Sequence, residues 1–188
     1  NQYYYIIGDF SIMSELRTNR IVPRDGLPSG SSGGIIQVKS TTKTTQQEVL
    51  DSSGSSVYPS GAVDIMTVTI TPTRADSKIL VSSTVQAACS DAAILYMFRD
   101  SNLINAGTDG SSGANGAYRG WAHVRMGPSN ETYSYTTQFL DSPGDTSSHT
   151  YKIKGLNMNG SYTLYINRRA SNDTYALTSF LTVMEISG

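Results

Sequence analysis

The run Ile65-Met-Thr-Val-Thr-Ile-Thr-Pro-Thr-Arg-Ala-Asp-Ser-Lys-Ile-Leu-Val-Ser-Ser-Thr-Val85 constrains the fold more than any other stretch of the chain. Apolar and polar residues alternate on both sides of a polar turn that holds Pro72 and Asp76, the period-2 pattern of two half-buried strands. Similar units repeat to the C-terminus, with no helical periodicity between them. The expectation is an all-β body with strands at 35–40, 64–71, 78–86, 93–99, 118–125, 132–139, 149–154, 161–167 and 176–186, and shorter pairings around 43–49 and 103–106. Turn chemistry separates them, in Asp100-Ser-Asn102, Ser142-Pro-Gly-Asp145 and Ser171-Asn-Asp173 among others. Roughly eight to ten antiparallel strands at this spacing suit a β-sandwich, with a jelly roll as the preferred member.

Composition sharpens the class. The chain has 188 residues, enough for one domain with a core plus an extension. Charged residues make up 15 %, well below the usual quarter, and Ser, Thr, Gly, Asn and Tyr take their place. That exchange favours strands, turns and uncharged hydrogen-bonding surfaces. A net charge of −1 offers no basic stripe for nucleic acid. No apolar run reaches the roughly 18–20 residues of a membrane helix, so no membrane insertion is expected. Three zones differ in character: an arm over 1–27, a Gly/Ser linker over 28–34 and the β-body over 35–188.

Residues suited to catalysis are sparse and scattered. The two histidines, His123 and His149, form no metal-ligand spacing, and no nucleophile elbow occurs. His149 falls in a turn region and is expected to face solvent. Asp91, Asp100, Asp109, Asp141, Asp145 and Asp173 show no pairing that marks a glycosidase. Asp109-Gly-Ser-Ser-Gly-Ala-Asn115 departs from the EF-hand pattern, so it reads as a loop before a cation site. No enzyme activity, cofactor or metal is expected. Cys89, beside Ala87 and Ala88, reads as a small buried residue. Arg99, Arg125 and Arg168-Arg169 read as surface partners for Asp100 or Asp141. Tyrosine is frequent, and most copies are expected in the core or between subunits. Tyr118 and Trp121, beside the long loop over 107–120, are the candidates for ligand contact, with Asp109 and Asn115 in the same loop.

An ordered set of motifs then points to a family. Val68-Thr-Ile-Thr-Pro72, Ser77-Lys-Ile-Leu-Val81, Phe98-Arg-Asp100, Phe139-Leu-Asp-Ser-Pro143, Thr150-Tyr-Lys-Ile153, Leu164-Tyr-Ile-Asn167 and Leu181-Thr-Val-Met-Glu-Ile186 resemble the C-terminal domain of bacteriophage fibre proteins, many of them from marine phages and cyanophages. Met13-Ser-Glu-Leu-Arg-Thr-Asn-Arg-Ile-Val-Pro23 and Gly33-Gly-Ile-Ile-Gln-Val38 resemble the start of such chains, and the likeness runs from Met13 onward. The resemblance implies a jelly roll of the tumour-necrosis-factor and complement-head type, assembled as a homotrimer in a virion, without enzymatic activity.

On that reading, Tyr3, Tyr4, Tyr5, Ile6, Ile7, Leu16, Ile21 and Val22 are expected to attach the arm to another virion structural protein, of capsid or tail. Phe180, Leu181, Val183 and Met184 are the candidates for the trimer axis, with only alternate ones facing the neighbour. The loops over 107–120 and 52–60 are the candidates for a host-surface glycan, where several weak sites on one particle would add avidity. Two other classes stand beside this one. A capsid decoration protein would share the trimer and the arm but lie on the shell. A small polysaccharide hydrolase would need a carboxylate pair in a groove.

Overall fold

The structure is a computed structural model and describes residues 34–50, 59, 61–107, 119–125, 131–158 and 163–188. These residues form eleven strands: β1 (Ile35–Lys43), β2 (Gln47–Leu50), β3 (Val63–Ile70), β4 (Lys78–Cys89), β5 (Ala92–Arg99), β6 (Asn102–Ile104), β7 (Ala122–Arg125), β8 (Tyr133–Asp141), β9 (His149–Asn157), β10 (Thr163–Ile166) and β11 (Ser179–Ile186). No helix occurs among the described residues. The all-β expectation therefore holds, as two antiparallel sheets consistent with a sandwich.

β4 organises the first sheet. It has 12 residues and neither Gly nor Pro to interrupt its ladder. One edge pairs with β8 along Ile79–Ala87. The other pairs with β11 along Lys78–Thr84 and then with β10 along Ala87–Cys89. β1 lies outside β11, and β2 outside β10. The second sheet runs β3-β9-β5, with β6 and β7 sharing the outer edge of β5. The β5–β6 turn needs only Asp100 and Ser101, and Asp100 takes a φ of 56°. Positive φ suits such tight hairpins, and Asp tolerates it better than most residues.

The core follows from alternation. Ile79, Val81, Val85, Leu181 and Val183 face inward from the first sheet, and Val68, Ile70, Leu95, Met97, Tyr151 and Ile153 meet them from the second. Each such side chain contributes about 1.5–3 kcal/mol through burial. Gly155 of β9 is part of this fit: a Cβ there would sit 2.6 Å from Leu164 Cδ2 and 2.9 Å from Ile65 Cδ1. Cys89 is buried as expected, and burial pushes its thiol up, away from reactive thiolate. β5 is different from its neighbours, because both of its faces are buried. Ile94, Tyr96 and Phe98 on its second face form a separate cluster with Ala62 and Leu156.

One end of the sandwich is closed by polar side chains. Arg99 pairs with Asp141 at 2.7 Å, and the buried Tyr151 hydroxyl donates to the same carboxylate oxygen at 2.7 Å. Burial, then that carboxylate, pushes the Tyr151 phenol far up. Glu185 is fully buried and accepts from Gln37 Nε2, Thr73 N and Thr73 Oγ1 at 2.7–2.8 Å. Burial alone would raise its pKa; the donors from Gln37 and Thr73 outweigh that and hold it below the usual carboxylate range. His149 corrects the sequence expectation. It opens β9 in a buried position, with Nδ1 2.9 Å from Asp100 and Nε2 3.0 Å from Asp145. The turn signal was real, but two carboxylates from separate turns converge on the ring and remove it from solvent.

Strand limits moved in explicable ways. β1 runs past 40 because Thr41, Thr42 and Lys43 still find ladder partners on β11, and β4 runs past 86 because the buried Ala87, Ala88 and Cys89 pair with β10. The strand expected at 118–125 is reduced to Ala122–Arg125. The one expected from 176 starts at Ser179, because Asn167 (φ 60°) turns the chain into a loop that returns only at Leu177.

Candidate functional site: the outer face of the six-stranded sheet

Residues directly opposite each other on paired strands share a face. Along β4 the inward set is Ile79, Val81, Ser83, Val85 and Ala87, each with 0 % exposure, so Lys78, Leu80, Ser82, Thr84 and Gln86 point outward. The register then builds three rows across β1, β11, β4 and β8. Val38, Met184, Leu80 and Leu140 form an apolar row. Ser40, Thr182, Ser82 and Gln138 form the next, and Thr42, Phe180, Thr84 and Thr136 the third. Val38 is 51 % exposed, Leu140 54 % and Phe180 42 %. Ile186 extends the apolar row toward Ile35, opposite Lys78 on its other side. Lys78 is the only charged side chain in this pattern, and it donates to Ser142 Oγ at 2.9 Å.

A face with one charged side chain across four strands, and with exposed Val38 and Leu140 on its two outer strands, is unusual for a surface that meets only water. β8 adds to it. This nine-residue strand pairs with β4 on one edge, and among the described residues no strand pairs with the other. It carries no Lys, Arg or Pro and no charge before Asp141. Free edges of that kind invite pairing with another chain unless something covers them.

The trimer-axis candidates divide by parity. Leu181 and Val183 have no exposure and belong to the core of their own sandwich. Phe180 and the half-buried Met184 are the alternate pair on the outer face. Val38, Leu80 and Leu140 complete that surface and were missed, since nothing in the sequence states which strands flank β11. Trp121 is half-buried against the main core, its backbone N–H on Leu95 O at 3.0 Å, so it is in part a packing residue. Asp109, Asn115 and Tyr118, and the arm residues Tyr3, Tyr4, Tyr5, Ile6, Ile7, Leu16, Ile21 and Val22, lie outside the described residues.

A groove of about 430 Å³ lies near the far end of β4, lined by Glu131, Thr132, Tyr133, Arg169, Tyr175 and Leu177. The segment between β10 and β11 forms one wall and is held by Asn167. Its Nδ2 donates to Lys43 O at 2.8 Å and Thr45 O at 3.1 Å, and its Oδ1 accepts from Ser179 Oγ at 2.6 Å. Gln46 Nε2 donates to Asp173 O and Tyr175 O. Thr132 Oγ1 ties the second wall to Arg168 O at 3.1 Å. No group of three or more His, Cys, Asp and Glu side chains suited to a metal occurs among the described residues. At His149 the two carboxylates lie against different ring nitrogens, so their oxygens do not converge on one point. A scan against models of known protein families and a search of curated proteins both return no match.

Proposed function

We propose that this chain is a non-enzymatic phage virion protein whose β-sandwich is a jelly-roll head assembled as a homotrimer, tethered through its N-terminal arm. One observation carries the assembly: the charge-poor outer face of β1, β11, β4 and β8, with its apolar row Val38, Met184, Leu80 and Leu140. The strand order supports the jelly roll. Each sheet interleaves strands from both halves of the chain, β1-β11-β4-β8 against β3-β9-β5-β7, and β3 to β4, β4 to β5 and β8 to β9 each change sheet. The β8 edge, unpaired among the described residues, and the apolar face are different patches, so an edge-to-face contact is heterologous and closes into a ring when the rotation allows. Burial of the order of 2,000–5,000 Å² is typical of an obligate interface of this kind. The virion assignment rests on the motif series from Val68 to Ile186.

Labelling tests the assignment. Gold particles directed to a tag after Gly188 should mark tail or vertex appendages on purified phage. Label spread over the shell would assign the chain to capsid decoration instead, and virions without the protein would overturn the reading.

A further inference from the structure

The groove at the end of β4 has a chemistry distinct from that of the apolar row. Tyr133 is 41 % exposed and Tyr175 49 % exposed; Tyr175 lies in the wall that Asn167 holds, and Tyr133 opens β8 in the opposite wall, which Thr132 ties to Arg168 O. A tyrosine held in place at the surface offers a rigid amphipathic face whose ordering cost is already met before a ligand arrives. The Arg169 guanidinium stacks on Tyr175 with 3.7 Å to the ring centroid. The Tyr133 hydroxyl donates to the Glu131 carboxylate. One positive group and one negative group thus border the same groove, so neither a simple anion nor a simple cation is favoured throughout it. A neutral ring with hydroxyls at its rim and a C–H face fits better. Its hydroxyls can accept from Arg169 and donate to Glu131, and its apolar face can lie on a tyrosine. The volume of about 430 Å³ lies within the range of small-molecule sites.

We propose that the groove bounded by Glu131, Tyr133, Arg169 and Tyr175 is a binding site for a neutral pyranose of a surface glycan. It is separate from the loop over 107–120 and does not depend on the virion assignment. Its preorganisation comes from Asn167, which fixes the Arg169–Leu177 wall through β1, Gln86 and Ser179.

The test is an amide NMR titration of the full chain with methyl β-galactoside, methyl α-glucoside and N-acetylglucosamine, each to about 50 mM, which covers a weak single site. At least one sugar should give saturable shifts centred on 131–133 and 169–177. Tyr175→Ala should weaken that binding roughly three- to tenfold, while Tyr175→Phe keeps it. Arg169→Met should weaken it as well, with the remaining spectrum unchanged as the check on folding. Saturable shifts located elsewhere, or none with any of the three sugars, would overturn the proposal. So would binding that appears only in a dissociated Leu140→Asp subunit, because a neighbouring copy would then be the occupant of the groove. Since the sugar titration reads the groove directly, loss of the trimer and loss of the sugar site are separate results.

Discussion

The two sheets treat their outer faces differently. On the second sheet, Asp64 pairs with Lys154 at 3.0 Å, Lys152 lies 3.8 Å from the same carboxylate, and the Lys154 ammonium sits over Phe98. Thr69 and Thr150 bond each other across strands at 3.1 Å. The apolar residues of that face, Ile94, Tyr96 and Phe98, are buried. The first sheet offers Ser, Thr and Gln with exposed Val38, Leu140 and Phe180. One face is finished against water within the subunit. The other, across β1, β11, β4 and β8, carries one charged side chain, Lys78, and leaves Val38, Leu140 and Phe180 in water. The same backbone pattern thus supports two surfaces, and the difference lies in which alternate positions carry charge.

The largest effect should come from the shared interior. Leu181→Ala is expected to cost about 2–5 kcal/mol of stability, read by chemical denaturation, since the side chain is fully buried. The same truncation at its neighbour on the outer face, Phe180→Ala, should leave subunit stability nearly unchanged and weaken association instead. Next comes the outer face itself. Leu140→Asp should weaken self-association by about 2 kcal/mol or more, roughly thirtyfold, measured by sedimentation against concentration. Thr67→Asp, on the outer face of the second sheet, should leave association unchanged and so sharpens the contrast. Tyr151→Phe removes a donor from buried Asp141 and should cost about 1–3 kcal/mol.

A smaller effect is expected from pH. Asp145, held by the Ser147 backbone and by His149, lies below the usual carboxylate range. Asp100 does too: burial would raise it, and the His149 and Thr150 donors outweigh that. Depressed folded values mean that these groups contribute stability above their unfolded pKa, near 4, and lose it as pH falls through the folded values. The denaturation midpoint should therefore drop as pH falls below about 4, and Asp100→Asn should flatten that limb. The smallest change is expected at the exposed pairs of the second sheet. Asp64→Asn should alter stability by about 1 kcal/mol or less.

Much of the β-body was legible in the sequence because alternation was strong, as in Met66–Ile70, where Met66, Val68 and Ile70 are all buried. β5 shows the limit of that signal. Ala-Ala-Ile-Leu-Tyr-Met-Phe is buried on both faces, so it has no period to read. β11 shows another limit. Period 2 separates Leu181 and Val183 from Phe180 and Met184 but cannot say which set is inside, and buried Glu185 shares the core side. Only the carboxylate's donors from β1 and the β3–β4 turn make that possible. The apolar row and the groove were not legible at all. Each joins residues far apart in the chain, Val38 with Leu140 and Glu131 with Tyr175, through a register that pairing alone creates.

Sedimentation equilibrium of the intact protein tests the central claim most directly. A mass three times 20.3 kDa, converting to one subunit on Leu140→Asp with its strands intact, is the predicted result. A folded wild-type protein that sediments as a single subunit at micromolar concentration would contradict it.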